Sequence, residues 1–196
     1  TIIDTKQINN YPDIREKLHV AIGKNTSSMF DEHHRVISGN ATDQALMKFL
    51  GEDSYLKMKE DPSLEIFASQ KFNSSNKFSQ AQIGGLTYYK GAPERLLQKA
   101  DRYMGTDGQL HPLDLSCINQ RIDTLAKKAM RVIAFGYSEE PLQENCISGN
   151  LVLIGLAAIR DDVRPEARIA IHDVQKAGIQ VVMITGDRLE TASAIA

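Results

Sequence analysis

The sequence predicts an α+β domain over residues 1–150, followed by the opening of an α/β domain over residues 151–196. Three observations carry this. Short strand patterns between about 64 and 89 are joined by a Gly84-Gly85 turn and set among helix-period segments. A polar stretch from Glu139 to Asn150, holding Pro141 and Gly149, interrupts the pattern. Beyond it come an apolar run, a helix and a second apolar run, the signature of parallel strands covered on both faces.

Each element follows in order. Tyr11 to Gly23 reads as a helix, with Pro12 in its first turn and Ile14, Leu18, Ala21 and Ile22 on one face. Thr26 to Asn40 is polar and reads as loop. Thr42 to Leu50 is a second helix with Asp43 in its first turn, where a carboxylate meets the positive end of the helix dipole. Leu64 to Phe72, Phe78 to Ile83 and Leu86 to Tyr89 are short strands. Pro93 to Tyr103 and Asp114 to Met130 read as helices, and Arg131 to Tyr137 as a strand. Leu151 to Ile159 is an unbroken apolar strand, Arg164 to Ala177 a helix ended by Gly178, and Ile179 to Ile184 a further apolar strand. A last helix opens after Thr185-Gly186-Asp187 and is still running at Ala196, so the chain reads as a piece of a longer protein.

Composition excludes several function classes. The 196 residues are 42% apolar and 24% charged, an ordinary soluble globular balance. Net charge is −2 with no basic stripe, which argues against nucleic acid as a partner. Leu151 to Ile159 is far short of the roughly 20 residues of a spanning helix, and no signal peptide is visible at Thr1. Cys117 and Cys146 make neither a disulfide framework nor a metal knuckle and read as buried or idle thiols. His33-His34 has no carboxylate or cysteine at ligand spacing, so no metal site is expected.

Three segments carry candidate chemistry. Thr185, Gly186 and Asp187 follow an apolar strand, at the carboxyl end where open α/β sheets place ligands. A hydroxyl, exposed backbone N–H groups and a helix start there suit a phosphate, although a plain turn with an Asp cap reads the same way. Lys90-Gly91 ends a strand and lets a cation approach a polyanion unobstructed, or is a surface lysine before a turn. Phe72, five residues before Lys77, could stack a purine while the lysine meets its phosphates, or could be core beside a polar turn.

Taken together the segments are no longer independent. Gly-Asn-Ala-Thr-Asp-Gln-Ala-Leu at 39–46, Phe72 to Lys77, Lys-Gly-Ala-Pro-Glu at 90–94, Met-Arg-Val-Ile at 130–133, Asp-Asp-Val-Arg-Pro-Glu at 161–166 and Met-Ile-Thr-Gly-Asp at 183–187 occur in one order. In that order they resemble the P-type cation-transporting ATPases, over nearly the whole chain. Gly-Asn-Ala-Thr-Asp and Phe-Asn-Ser-x-Asn-Lys look most like the plasma-membrane type of calcium pump.

The resemblance implies a nucleotide-binding domain, a twisted antiparallel sheet with flanking helices, over 1–150. A partial phosphorylation domain of the haloacid-dehalogenase type follows over 151–196. Phe72 would stack on adenine, and Asp43 matches the acidic residue at the adenine edge. Lys77 and Lys90 would line the ATP pocket, Gly91 would allow close approach, and Arg131 would reach the phosphates. Asp161 and Arg164 match an Asp-Pro-Pro-Arg motif beside an interdomain hinge, with Asp162 and Val163 standing where the family has proline. Thr185, Gly186 and Asp187 would hold the γ-phosphate and organise Mg²⁺ during transfer. The hinge is expected in Glu139 to Asn150 and in the segment before about Asp13.

The resemblance further implies a phosphoryl transfer from Mg·ATP to an aspartate, coupled to movement of a cation, with calcium suggested by the subgroup. The domain would sit at the cytoplasmic face of a membrane, itself soluble, with the membrane and actuator domains of the same polypeptide as partners. Asp-Lys-Thr-Gly-Thr, whose aspartate takes the phosphoryl group, does not occur in the 196 residues, and neither does Gly-Asp-Gly-x-Asn-Asp. The chain is therefore expected to bind ATP without forming a phosphoenzyme. The alternatives are a free-standing dehalogenase-type phosphatase, a stand-alone nucleotide-binding regulatory module without transport, and a purely structural α/β domain.

Overall fold

In a computed structural model of the chain, residues 7–160, 165–184 and 193 are described. The chain divides into two compact units, one built from Thr1–Leu115 with Ile133–Ala157, the other from Ser116–Val132 with Ala158–Ala196.

The first unit begins with α1, Pro12–Gly23, whose N1 proline lacks only an N–H that would have no partner there. Of the expected face Ile14, Ala21 and Ile22 are buried and Leu18 is half-buried, while Val20 is buried as well. A two-residue ladder, β1 (Met29–Phe30) with β2 (Val36–Ile37), lies in the stretch read as loop. Helix α2, Ala41–Leu50, starts at Asn40, whose side chain accepts from Asp43 N, and ends at Gly51 with φ +78°. Helix α3, Glu52–Glu60, was not anticipated. Glu52 and Asp53 in its first turn and Lys57 and Lys59 in its last complement the helix dipole.

Apart from β1 and β2, the strands form one seven-stranded sheet. They are β3 (Ile66–Gln70), β4 (Phe78–Ile83), β5 (Leu86–Gly91), β6 (Ala100–Met104), β7 (Leu110–Pro112), β8 (Arg131–Ser138) and β9 (Leu151–Ile159). Their order is β3-β4-β5-β8-β9-β6-β7. β3, β4, β5 and β8 pair antiparallel, as do β6 and β7, while β6 and β9 run parallel. The architecture is thus a mixed α/β domain with a large, mostly antiparallel sheet and flanking helices, as the sequence predicts for the first domain. Ile83 pairs with Leu86 across Gly84 (φ +55°) and Gly85 (φ +84°), the two-residue turn that needs left-handed backbone at both positions.

Three expectations are corrected. Pro93 to Tyr103 is not one helix. A single turn, α4 (Pro93–Leu96), gives way to β6, because Ala100, Arg102 and Tyr103 pair with Leu151, Val152 and Leu153. That same pairing puts β9 between β8 and β6 in this sheet rather than at the start of a separate one, with Leu151 to Ile154 buried. Ile179 to Ile184 is not a strand. A buried parallel strand needs neighbours on both sides, and among the described residues none pairs with it, so Val182 is 69% and Ile184 95% exposed.

The core of the first unit packs α1 against α2, α3 and β5. Leu46, Met47 and Leu50 of α2 and Met58 of α3 are buried with it. Phe78, Tyr89 and Phe135 are fully enclosed, and burying each such side chain stabilises the fold by roughly 1.5–3 kcal/mol. The rings of Phe78 and Tyr89 lie 6.3 Å apart, and the Tyr89 hydroxyl donates to Ser148 Oγ at 3.0 Å.

In the second unit α5, Leu115–Ala126, buries Ile122 and Ala126. Helix α6, Pro165–Lys176, ends before Gly178 at φ +77°, close to the expected span. Cys117 and Cys146 are both exposed and are not joined in a disulfide, so of the buried-or-idle reading the buried alternative does not hold.

Candidate functional site

Asp43 and Lys90 stand 47 positions apart and meet at 2.6 Å, Lys90 Nζ donating to Asp43 Oδ1. The fold dictates this. Lys90 is opposite Ser79 in the β4–β5 ladder, on the face covered by α1 and α2, so its side chain is buried. Asp43 occupies the first turn of α2 and is buried as well. A buried ammonium must find acceptors, and Lys90 has a second in the carbonyl of Asn25, just beyond α1. The other carboxylate oxygen of Asp43 accepts from Ser27 Oγ at 2.8 Å and Ser27 N at 3.2 Å. Asn25 in turn donates from Nδ2 to the Tyr88 carbonyl at 3.2 Å.

Burial alone would raise the Asp43 carboxyl, but the Lys90 charge and the hydrogen bonds from Lys90 and Ser27 outweigh it and hold it below its ordinary 3.8. Burial dominates at Lys90 and lowers its ammonium below 10.5, with Asp43 opposing the shift.

Phe72 and Lys77 lie in the 71–77 loop between β3 and β4, and both are exposed, Phe72 at 53%. Nothing in the core claims the ring. Lys77 has φ +61° and pairs with Glu94 at 3.4 Å, an exposed contact of little energetic weight. The loop abuts the Lys90-to-Glu94 segment. Ala92 N donates to the Lys77 carbonyl at 2.9 Å, and Arg95 Nε to the Asn76 carbonyl at 3.2 Å. Gly91 makes this possible: a Cβ there would lie 2.6 Å from Lys77 O and 2.6 Å from Phe78 Cβ. The close approach that Gly91 permits in the structure is therefore to the backbone of β4.

The structure thus brings together the 72–77 and 90–94 segments, and separately Asp43 with Lys90. Arg131 is exposed at the start of β8 and belongs to the second unit. Asp161, Arg164, Thr185, Gly186 and Asp187 lie outside the described residues. Among the described residues no group of three or more His, Cys, Asp or Glu could hold a metal. Two surface grooves of about 570 and 420 Å³ open on the first unit. Neither is lined by Phe72, Lys77 or Lys90.

Sequence reasoning missed Asn25 and Ser27, which complete the surroundings of the buried pair, and Glu94 as the partner of Lys77. Nor did it foresee the ties of the 139–150 connection, the segment expected as a hinge. Thr87 Oγ1 donates to the Glu140 carbonyl at 2.8 Å, Leu142 N to Gln82 Oε1 at 3.2 Å, and Ser138 Oγ to the Gly149 carbonyl at 3.3 Å. No spacing rule marks such contacts, because they join segments up to 60 residues apart.

Comparison with known proteins gives one consistent result. The family described as P-type ATPase, cytoplasmic domain N, matches residues 14–166. The chain is 31% identical to a putative plasma-membrane-type calcium-transporting ATPase, number 11, of Arabidopsis thaliana, over 97% of its own length and 20% of the relative's. It is 30% identical to calcium-transporting ATPase 1 of Saccharomyces cerevisiae, over 96% of the chain and 21% of that protein. It is 38% identical to the cation-transporting ATPase pma1 of a Synechocystis strain, over 58% of the chain and 13% of the relative. The chain spans about a fifth or less of the length of these relatives. No helix among the described residues is long and apolar enough to cross a membrane.

Proposed function

The chain belongs to the cation-transporting P-type ATPases, as their cytoplasmic domain N, and from that premise we propose that it is the part that captures ATP. The observation that carries the reading is Phe72: an aromatic ring half open to solvent, on a loop tied at its exit to the Lys90-to-Glu94 segment. An exposed ring on a tethered loop suits stacking on a purine, since little ordering remains to be done on binding. Lys77, exposed at the end of the same loop, supplies a cation for the nucleotide's phosphates. Asp43 and Lys90 support the site from its buried side, locking α2 and the end of α1 to β5. Gly91 seats the loop, and Arg131 would reach the phosphates.

In the intact protein we assign ATP hydrolysis through an aspartyl phosphate, coupled to transport of a cation, calcium in the reading favoured by the relatives' names. Residues beyond β9 would begin the dehalogenase-like phosphorylation domain, with Asp161 and Arg164 at its hinge and Thr185, Gly186 and Asp187 at the γ-phosphate. The remaining membrane and actuator domains of the same polypeptide would be its partners, at the cytoplasmic face of a membrane. ATP supplies the transferable phosphoryl group. This chain's own residues bind and orient it, and no described residue is assigned to Mg²⁺. The 196 residues alone bind ATP and form no phosphoenzyme.

An NMR titration tests this by comparing adenosine, ATP and inorganic triphosphate on the 196-residue chain. Adenosine and ATP should both perturb the resonances of Phe72, ATP should perturb Lys77 as well, and triphosphate should leave Phe72 unmoved. Perturbation by triphosphate alone would replace the stacking site with a simple anion site.

A further inference from the structure

We propose that Asn145, in the connection between β8 and β9, is a positioning residue for nucleotide binding, holding the 71–77 loop and through it Phe72. The proposal rests on the ATP reading above.

Because the Phe72 ring is exposed, no core contact fixes where it stands; only the backbone of its loop does. That loop is fastened at both ends to one residue. Asn145 Oδ1 accepts from Gln70 Nε2 at 2.8 Å, at the end of β3, and from Asn76 Nδ2, one residue before the loop's exit. The Asn145 backbone N–H donates to Gln70 Oε1 at 2.8 Å, so side chain and main chain of Asn145 grip both ends of one amide. Asn145 holds φ +58°, a left-handed conformation that asparagine tolerates and most residues resist.

The surroundings are built to serve this clasp. Buried Gln80 of β4 donates from Nε2 to Gln70 Oε1 and to the Gln143 carbonyl, both at 2.7 Å. Its own Oε1 has no partner among the described residues, a buried acceptor forgone so that the amide faces the clasp. Within the loop, Asn76 N bonds Asn73 Oδ1 at 2.7 Å and Lys77 N bonds the Asn73 carbonyl at 2.8 Å. The turn is thus already formed where Asn145 holds it. A loop ordered in advance spares the nucleotide the entropy of ordering it, and loss of the clasp should appear as lost affinity.

The test uses the 196-residue chain and three variants. Asn145→Gly keeps the left-handed backbone and removes the oxygen. Asn145→Asp keeps an oxygen acceptor for both amides. Phe72→Ala marks the ATP reading itself. Two readouts are taken: hydrogen exchange at the Asn76 and Lys77 amides without nucleotide, and ATP affinity by calorimetry. Loss of two neutral hydrogen bonds predicts roughly tenfold faster exchange and roughly tenfold weaker ATP binding in Asn145→Gly. Asn145→Asp should restore both, and the thermal midpoint should stay near wild type. Unchanged exchange in Asn145→Gly overturns the clasp. So does unchanged ATP affinity in Asn145→Gly when Phe72→Ala has lost it. Affinity that falls together with the thermal midpoint and is not recovered by Asn145→Asp makes Asn145 merely structural. Wild-type chain that binds no ATP overturns the nucleotide reading instead, and the exchange data then show that failure to be separate from the clasp.

Discussion

Removing one partner of the Asp43–Lys90 pair should unfold the first unit more readily than any surface change. The two groups lie 2.6 Å apart, both are buried, and their remaining bonds are to Ser27 and Asn25. Asp43→Asn removes the countercharge and leaves the enclosed Lys90 ammonium with neutral carbonyl acceptors such as that of Asn25. Lys90→Met leaves the carboxylate enclosed with Ser27. Stranding one charge of a buried pair costs about 3–5 kcal/mol. For a chain of this size that is roughly 6–20 °C of thermal midpoint. The double variant should lose less than the sum of the singles, because no charge is left stranded. The acid side gives an independent readout. The Asp43 carboxyl is held below its ordinary value, so the unfolded chain takes up the proton first as pH falls. Its contribution is fully present above about pH 4 and is lost as pH falls through the folded value. In Asp43→Asn that acid-side loss should shrink. Denaturant melts of wild type, both singles and the double at pH 7 and pH 3 measure all of this. Single losses under about 1 kcal/mol that simply add in the double would refute the reasoning.

Two more predictions follow from close contacts. Gly91→Ala would push a methyl to 2.6 Å from the Lys77 carbonyl, against backbone rather than a flexible side-chain tip, and should destabilise by about 1–3 kcal/mol in a chemical melt while raising the exchange rate of the Ala92 amide. Asn40→Ala removes the acceptor of Asp43 N at 2.9 Å, and should lower stability by about 1 kcal/mol, with Asn40→Ser recovering most of it.

What the sequence disclosed depended on how local the cause was. The Pro12 start of α1, the first turn of α2 around Asp43 and the Gly84-Gly85 turn were legible because their determinants lie within four residues, though the Asn40 cap was not read. Ala100 to Met104 was not: it carries no strong strand pattern, and a parallel partner 51 positions on, at Leu151, made it a strand. The run from Ile179 to Ile184 erred the other way. Its composition is that of a buried strand, but a strand exists only with neighbours to pair. At the site, Phe72, Lys77 and Lys90 were visible as residue types. Their directions were not, since a lysine beside a glycine looks the same whether it meets solvent or a carboxylate two helices away in sequence. The family match supported the resemblance and left each residue's role to be tested.

The most direct measurement is calorimetric titration of ATP into the 196-residue chain and its Phe72→Ala variant, with thermal melts of both. Phe72 is largely exposed, so its removal should leave the melting midpoint within a degree or two of wild type. The account predicts weak wild-type binding, roughly submillimolar to millimolar, that disappears in the variant. A variant that still binds as wild type does would contradict it.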